Sequence, residues 1–88
     1  MVTTEQLYDF YQDHPVVSTD TRHLPKGCIY FALKGPNFNG NTFAKKALEL
    51  GAAYAVVDEP AGDDPRILMV KDVLKSLQEL ATLHRHRL

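Results

Sequence analysis

The 88-residue sequence has few of the residues that mark several common protein classes. It contains one cysteine, Cys28, and no tryptophan. A single cysteine excludes an internal disulfide framework and a cysteine-rich zinc site, and it is typical of a reducing cytosol. No apolar run approaches the roughly 20 residues that a membrane-spanning helix needs, and no secretory signal pattern is visible. We therefore predict a cytoplasmic domain with no membrane insertion and no metal site.

The numbers of positively and negatively charged residues in the sequence are nearly equal. Ten Lys and Arg against eleven Asp and Glu give a formal net charge of −1 at pH 7. This balance lacks the positive excess that favours nucleic acid or an acidic membrane surface. The hydrophobic fraction of 44% is ordinary for a globular protein, and the length suits one small core. We predict a single domain over residues 1–88 with no nucleic-acid partner.

The spacing of apolar residues predicts alternating helices and strands. Residues 3–6 form a capping box, and the helix that they begin should end before Pro15. Asp72 is expected to cap a last helix. Apolar runs bounded by turn residues predict four strands, at residues 16–18, 28–33, 53–57 and 67–70.

A further helix is predicted between the two middle strands. Asn41 or Thr42 can cap this helix, and Phe43 is expected on its buried face. Gly51 is placed to end it. Strand, helix and strand with short joints form a βαβ unit. We predict an α/β domain with three-layer-like packing, a mostly parallel sheet of about four to five strands, and about three helices.

Several motifs of complete enzymes are absent. The sequence has neither the P-loop pattern G-x-x-x-x-G-K-[ST] nor the dinucleotide pattern G-x-G-x-x-G. It also has no H-E-x-x-H and no G-x-S-x-G. We therefore expect no catalytic residues in this chain, and no enzymatic activity from the 88 residues alone.

Polar residues S-T-D-T-R follow the first predicted strand, at positions 18–22. One interpretation is local: Asp20 and the hydroxyls bond neighbouring backbone N–H groups, while Arg22 pairs with an acidic side chain. The other is that hydroxyls and N–H groups face a phosphate or a base edge of a ligand. The residue pattern alone favours the local interpretation.

A second polar segment, K-G-P-N-F-N-G-N at positions 34–41, lies between a strand and a helix. Ligands of open α/β sheets bind beyond the carboxyl ends of the strands. Gly35 allows close approach of the backbone to a ligand, and Gly40 permits a positive φ. The helix N-terminus beyond Asn41 attracts negative charge. The alternative is a plain loop, in which Phe38 is tucked onto the core.

Together these segments resemble the N-terminal domain of the Mur ligases, bacterial enzymes that add amino acids to UDP-N-acetylmuramic acid in peptidoglycan synthesis. The resemblance rests on S-T-D-T-R, P-x-G-x-(I/L)-(Y/F)-F-A-L-K-G, N-F-N-G and, after a helix, G-A-x-Y-A-V-V-D-E. Within the family, F-A-L-K-G followed by N-F-N-G is most similar to the members that add D-alanyl-D-alanine to UDP-N-acetylmuramoyl-tripeptide.

The resemblance implies a UDP-N-acetylmuramoyl-peptide-binding domain of a C–N bond-forming ligase. It implies ATP and Mg²⁺ as cofactors of the full-length enzyme, with none in this segment. It also implies that the central ATPase domain, its partner in the same chain, and a C-terminal domain are absent here. The implied UDP contacts are Thr19, Thr21, Gly35, Pro36, Asn37 and Phe38. The implied supporting residues are Ser18, Asp20, Arg22, Lys34, Asn39 and Gly40.

Two further functions stay open beside this one. The chain can be the same domain of a ligase that adds the third residue of the peptide. It can also be a non-catalytic α/β interaction module, because function resides in the site and not in the fold. Many relatives have Asp-Gly-His where this chain has Asn39, Gly40 and Asn41, so Asn39 and Asn41 are the least expected ligand contacts.

Overall fold

Four parallel strands form the sheet on which the domain is built. The computed structural model describes residues 1–87. Its helices are α1 (Thr4–Asp13), α2 (Ala44–Glu49) and α3 (Val73–His86), with a short 3₁₀ helix (Gly40–Phe43) directly before α2. Its strands are β1 (Val17–Ser18), β2 (Ile29–Phe31), β3 (Lys34–Gly35), β4 (Phe38–Asn39), β5 (Tyr54–Val57) and β6 (Ile67–Met69).

The sheet has the strand order β1-β2-β5-β6, and every neighbouring pair is parallel. Strands β3 and β4 form a separate antiparallel hairpin, which the sequence pattern did not predict. The predicted α/β class, mostly parallel sheet and three helices are confirmed. Because all four strands run the same way, their carboxyl ends meet at one edge of the sheet.

Helices cover both faces of this sheet. Side chains of a strand alternate between faces, so Ile29 and Phe31 of β2 point to one side and Tyr30 to the other. The first side packs against α1 and α3, whose contributions include Leu7 and Leu80. The second side packs against α2 through small residues such as Ala47. The prediction that the central strands are covered on both faces is confirmed.

Helix boundaries follow the predicted signals at three places. The Thr3 hydroxyl accepts from the Gln6 N–H at 3.1 Å, and the Gln6 side chain accepts from the Thr3 N–H at 2.9 Å. Asp72 accepts from the N–H of Lys75 and caps α3. Gly51 follows the end of α2 with φ of +115°. None of the helices within residues 1–87 is long and apolar enough to cross a membrane.

The start of α2 differs from the prediction. Neither Asn41 nor Thr42 caps it; instead the Asn39 side chain accepts from the Asn41 N–H at 3.0 Å and begins the 3₁₀ helix. Phe43 lies at the junction with α2 and is exposed, so its predicted place on the buried face is wrong. The 3₁₀ turn is wound more tightly than an α-helix, which changes the direction of this side chain.

Gly40 is required for a reason other than the predicted one. Its φ is not positive, since only Gly27, Gly51 and Gly62 adopt such values among residues 1–87. A Cβ on Gly40 would instead lie 2.6 Å from the carbonyl oxygen of Leu33 and 2.8 Å from its nitrogen. The backbone at the start of the 3₁₀ helix therefore approaches Leu33, between β2 and β3, too closely for any side chain.

We expect Gly40→Ala to lower the free energy of unfolding by roughly 1–3 kcal/mol, because the added methyl group must displace backbone. Gly35→Ala is the matched control: its nearest neighbour would be the Phe38 Cβ at 4.0 Å, and it should leave stability nearly unchanged. Urea denaturation of both variants measures the difference. Equal effects of the two substitutions would contradict the close approach at Gly40.

Candidate functional site

The two polar segments lie at the same edge of the sheet. The turn of residues 19–22 follows β1, and the β3–β4 hairpin follows β2. Asp58 and Glu59 directly follow β5. Parallel strands bring these three connections together at their carboxyl ends, which is where open α/β sheets bind ligands.

The turn after β1 is held by local hydrogen bonds. The buried Ser18 hydroxyl lies 3.1 Å from the carbonyl oxygen of Asp20 and 3.0 Å from that of His23. It also accepts from the Asp20 N–H at 3.3 Å. The Asp20 carboxylate accepts from the Arg22 N–H at 2.8 Å. The local interpretation is therefore confirmed for Ser18, Asp20 and Arg22.

Asp20 and Arg22 also form an ion pair across this turn. Arg22 Nη2 donates to Asp20 Oδ2 at 3.0 Å, and Nε donates to Oδ1 at 3.2 Å. The Arg22 side-chain bond keeps the pKa of Asp20 below its ordinary value. The pair adds little stability because the Arg22 side chain is 84% exposed. Its effect is to fix the shape of the turn.

The two threonines of the turn differ from Ser18, Asp20 and Arg22, because their side chains do not hold the turn together. Thr19 is exposed and Thr21 is half-buried. Within residues 1–87, neither hydroxyl takes part in the side-chain hydrogen bonds of the turn. Both border a cleft of about 530 Å³. The cleft is lined by Thr19, Asp20, Thr21, Arg22, Phe38 and Phe43.

Two stacked aromatic rings also line the cleft. The ring centroids of Phe38 and Phe43 are 5.5 Å apart, with 16° between the ring planes. Phe38 is 47% exposed and Phe43 is 38% exposed. The alternative in which Phe38 is tucked onto the core is therefore wrong. Sequence reasoning missed Phe43 as a site residue because its helical spacing suggested a buried position.

The remaining hairpin residues fall into two groups. Gly35, Pro36 and Asn37 are exposed and lie outside the lining of the cleft. Gly40 is buried, and its carbonyl oxygen accepts from the Tyr30 hydroxyl at 3.0 Å. The structure thus brings Phe38 to the cleft, while Gly40 fixes the hairpin onto the sheet.

Lys34 and Asn39 are held by the two carboxylates after β5. Lys34 Nζ lies 2.6 Å from Glu59 Oε2 and 3.3 Å from Asp58 Oδ1. Asn39 Nδ2 donates to Glu59 Oε1 at 3.1 Å. The hydrogen bond with Glu59 is the main cause that raises the pKa of Lys34. The same hydrogen bond is also the main cause that lowers the pKa of Glu59.

Asp58 is the centre of this network. Its Oδ1 accepts from Asn41 Nδ2 at 2.9 Å, and its Oδ2 accepts from the Val73 N–H at 3.2 Å. Its own N–H donates to Asn41 Oδ1 at 3.1 Å. Burial acts to raise the pKa of Asp58, but the bonds from Val73, Asn41 and Lys34 outweigh burial and hold it below the ordinary value.

Asn41 and Asp58, two residues of this network, can be compared with the site that the sequence predicted. Asn41 is buried against Asp58, which agrees with its place among the least expected ligand contacts. Asp58 was not singled out from the sequence. The available signal was an acidic pair directly after a buried strand, at the same sheet edge as both polar segments.

We expect Asp58→Asn to lower the free energy of unfolding at pH 7 by roughly 1–3 kcal/mol, since an amide nitrogen would face groups that are all donors. The lowered pKa means that the carboxylate stabilises the fold above about pH 4 and that this contribution is lost as the pH falls through the folded-state pKa. The difference between wild type and variant should therefore shrink in acid.

Asp64→Asn is the control for this prediction. The pKa of Asp64 is lowered to about 2, chiefly by the side-chain bond from Arg66, yet the side chains of this pair keep 29% (Asp64) and 49% (Arg66) of their surface exposed. Its removal should change stability little, because exposed ion pairs are screened. Thermal unfolding from pH 2 to pH 7 measures both variants. A larger loss from Asp64→Asn than from Asp58→Asn would contradict the account.

Fold and cleft together define a small parallel α/β domain with an open cleft beyond the carboxyl ends of its strands, the place where open α/β sheets bind ligands. A profile of the Mur ligase family, catalytic domain, matches residues 15–85. The chain belongs to the Mur ligase family. The resemblance found in the sequence motifs is thereby confirmed.

Individual relatives agree with this assignment. The chain is 41% identical over 71 residues to the UDP-N-acetylmuramoyl-tripeptide–D-alanyl-D-alanine ligase of Escherichia coli K12, covering 81% of this chain and 16% of the relative. It is 32% identical over 65 residues to the UDP-N-acetylmuramoyl-L-alanyl-D-glutamate–2,6-diaminopimelate ligase of Aquifex aeolicus, covering 74% of this chain and 14% of the relative. It thus spans a minor part of the length of either enzyme.

A solved structure shows the same fold. Crystal structure I of MurF from Acinetobacter baumannii superimposes with a TM-score of 0.78 at 27% sequence identity. The match covers 97% of this chain and 21% of that chain. The parallel sheet and its covering helices are therefore those of a domain found within Mur ligases.

Proposed function

We propose that this chain is the N-terminal substrate-binding domain of a ligase that joins D-alanyl-D-alanine to UDP-N-acetylmuramoyl-tripeptide. The observation that carries the proposal is the cleft at the carboxyl edge, where the Thr19 and Thr21 hydroxyls lie without partners within residues 1–87. Identities of 35–41% to D-alanyl-D-alanine ligases against 30–35% to diaminopimelate ligases support this reaction over addition of diaminopimelate.

In this proposal the UDP part of the substrate occupies the cleft. Each threonine hydroxyl can donate one hydrogen bond and accept others, so it suits both carbonyl and N–H groups of a nucleotide. The turn that carries the hydroxyls is already fixed by Asp20 and Ser18. Little conformational freedom of the turn is therefore lost on binding, which favours affinity.

Arg22 is the cation placed to meet the diphosphate. Its bonds to Asp20 use Nε and Nη2, and Nη1 makes no hydrogen bond within residues 1–87. Guanidinium groups bind phosphate oxygens strongly. Lys34 is less suited to this role, because it lies outside the lining of the cleft and contacts two carboxylates, Asp58 and Glu59, whereas Arg22 lines the cleft and contacts one. We assign Lys34 and Asn39 to support of the hairpin.

Holding the UDP end serves a reaction that occurs elsewhere in the enzyme. A tethered substrate presents its peptide carboxylate repeatedly to the same place, which removes much of the entropic cost of the encounter. Binding energy at this remote end thus supports C–N bond formation. We propose that the central ATPase domain of the same enzyme is the partner that performs this step, in the cytoplasm.

ATP and Mg²⁺ are not assigned to residues of this chain. The sequence has no P-loop, and residues 1–87 hold no group of three or more His, Cys, Asp or Glu that could bind a metal ion. In our proposal both cofactors belong to the parts of the ligase outside this domain. The 88 residues alone should therefore neither hydrolyse ATP nor form a peptide bond.

The proposal is tested with Thr21→Val, which keeps the shape of the side chain and removes its hydrogen bonds. Loss of one such bond costs roughly 0.5–1.5 kcal/mol, or up to about 3 kcal/mol with a charged partner. The dissociation constant for UDP-N-acetylmuramoyl-tripeptide should rise between about 2-fold and 100-fold. Calorimetric or NMR titration of the chain measures this constant, with Thr82→Val on the far helix α3 as the control.

A structural role for Thr21 predicts another result. In that case Thr21→Val would lower the melting temperature and leave the constant for the UDP substrate unchanged in the folded fraction. In the full-length enzyme the constants for ATP and D-alanyl-D-alanine should stay the same while that for the UDP substrate rises. A destabilised domain with no selective effect on the UDP substrate would contradict the assignment of Thr21.

A further inference from the structure

Asn39 is followed by Gly40, and this is the one Asn-Gly step among the three asparagines of the sequence. An Asn-Gly step is chemically prone to lose the side-chain amide, because glycine has no side chain to hinder attack by its own nitrogen. We infer that Asn39 is a site of spontaneous deamidation, and that opening of the β3–β4 hairpin sets the rate of this modification. The reaction needs water and a base but no enzyme.

The reaction closes a ring between the Asn39 side chain and the backbone. The Gly40 nitrogen loses its proton to a base in solution and forms a bond to Cγ of Asn39. The Cγ–Nδ2 bond breaks, and Nδ2 takes up a proton and leaves as ammonia. Water then opens the cyclic imide at either of its carbonyl groups. One product has aspartate at position 39, and the other has isoaspartate, in which the backbone runs through the side-chain carbons.

The closed hairpin keeps the reacting atoms apart. The ψ angle of Asn39 is 106°, which turns the Gly40 nitrogen away from the Asn39 side chain. The Gly40 N–H donates to the carbonyl oxygen of Leu33 at 2.7 Å, so its proton is held. The amide is held as well: Nδ2 donates to Glu59 Oε1 at 3.1 Å, and Oδ1 accepts from the Asn41 N–H at 3.0 Å. Ring closure therefore requires these bonds to break.

The hairpin is a small element that can open while the core stays folded. Its strands pair through two residues each, Lys34 with Asn39 and Gly35 with Phe38. Of these four residues only Asn39 is not exposed to solvent. Segments with few buried contacts open locally at lower free energy than the global unfolding of a domain. Deamidation of the folded chain should therefore follow the small population in which the hairpin is open.

The two products differ in their effect on the hairpin. Isoaspartate adds a methylene to the backbone directly before Gly40, where even a Cβ would lie 2.6 Å from the carbonyl oxygen of Leu33. It also removes the side chain that caps the 3₁₀ helix. Aspartate keeps the acceptor for the Asn41 N–H and loses only the donor to Glu59. The closed hairpin thus suppresses a reaction whose isoaspartate product prevents it from closing again.

The experiment follows the wild-type chain in mildly alkaline buffer, with and without guanidinium chloride, by mass spectrometry of its peptides. Asn39 should be modified at least about 10-fold more slowly in the folded chain, because the open form is a minor population. Asn37 is the internal control: it is exposed, but Phe38 follows it and hinders ring closure. Equal rates with and without denaturant would overturn the role of the hairpin. An Asn39 that reacts no faster than Asn37 in denaturant would overturn the site itself.

Hydrogen exchange shows which opening exposes Asn39. The Gly40 amide should exchange faster than the buried Ala55 amide, which donates to the carbonyl oxygen of Arg66 at 3.0 Å in the core of the sheet. Equal protection of the two amides would mean that the whole domain must unfold, and this would contradict local opening.

Tyr30→Phe tests the same step without changing the Asn-Gly sequence. It removes the hydroxyl that donates to the Gly40 carbonyl oxygen at 3.0 Å. Loss of this buried partner should raise deamidation of Asn39 in the folded chain by roughly 5-fold or more. Protection of the Gly40 amide should fall by the same factor, and the rate in denaturant should stay the same. Faster exchange of the Gly40 amide with unchanged deamidation would overturn the inference.

Discussion

One half-buried carboxylate, that of Asp58, connects the elements on which the cleft depends. It accepts from the first N–H of α3, from Asn41 in the 3₁₀ helix and from Lys34 in the hairpin. A buried charge is tolerated only when such partners satisfy it, and removal of a partner leaves a costly unpaired group. The end of β5 thus fixes, through one side chain, the helix behind the sheet and the hairpin beside it.

The residues of the polar segments divide into two roles. Ser18, Asp20, Lys34 and Asn39 are occupied by hydrogen bonds within the domain, and these bonds fix the backbone of the turn and the hairpin. Thr19, Thr21, Phe38 and Phe43 line the cleft, and within residues 1–87 the two threonine hydroxyls have no hydrogen-bond partner. A preorganised frame of this type leaves few groups to be ordered when a ligand binds, so the available contacts contribute more fully to affinity.

Much of the fold could be predicted because its signals are local. The apolar run around β2, the capping box at Thr3 and the Asp72 cap each depend on residues close in the sequence. The hairpin and the exposed position of Phe43 could not be predicted in this way. They depend on contacts between distant residues, such as the bonds of Asn41 to Asp58 and the approach of Gly40 to Leu33.

The candidate site was predicted to a lesser degree for the same reason. Motif resemblance located the two segments, and the parallel sheet brings them together. Whether a polar side chain faces inward or toward a ligand depends on its tertiary partners, which a short motif does not specify. Asp20 and Thr21 are neighbours in one motif, yet the first closes the turn and the second borders the cleft.

The central claim is that the UDP part of the substrate binds in the cleft between the turn after β1 and the aromatic pair. Titration of the ¹⁵N-labelled chain with UDP-N-acetylmuramoyl-tripeptide tests it most directly. The account predicts that amide signals of residues 19–22 and 34–43 shift together, while those of the outer surface of α3 do not. Shifts confined to other parts of the domain, or no shifts at millimolar substrate, would contradict it.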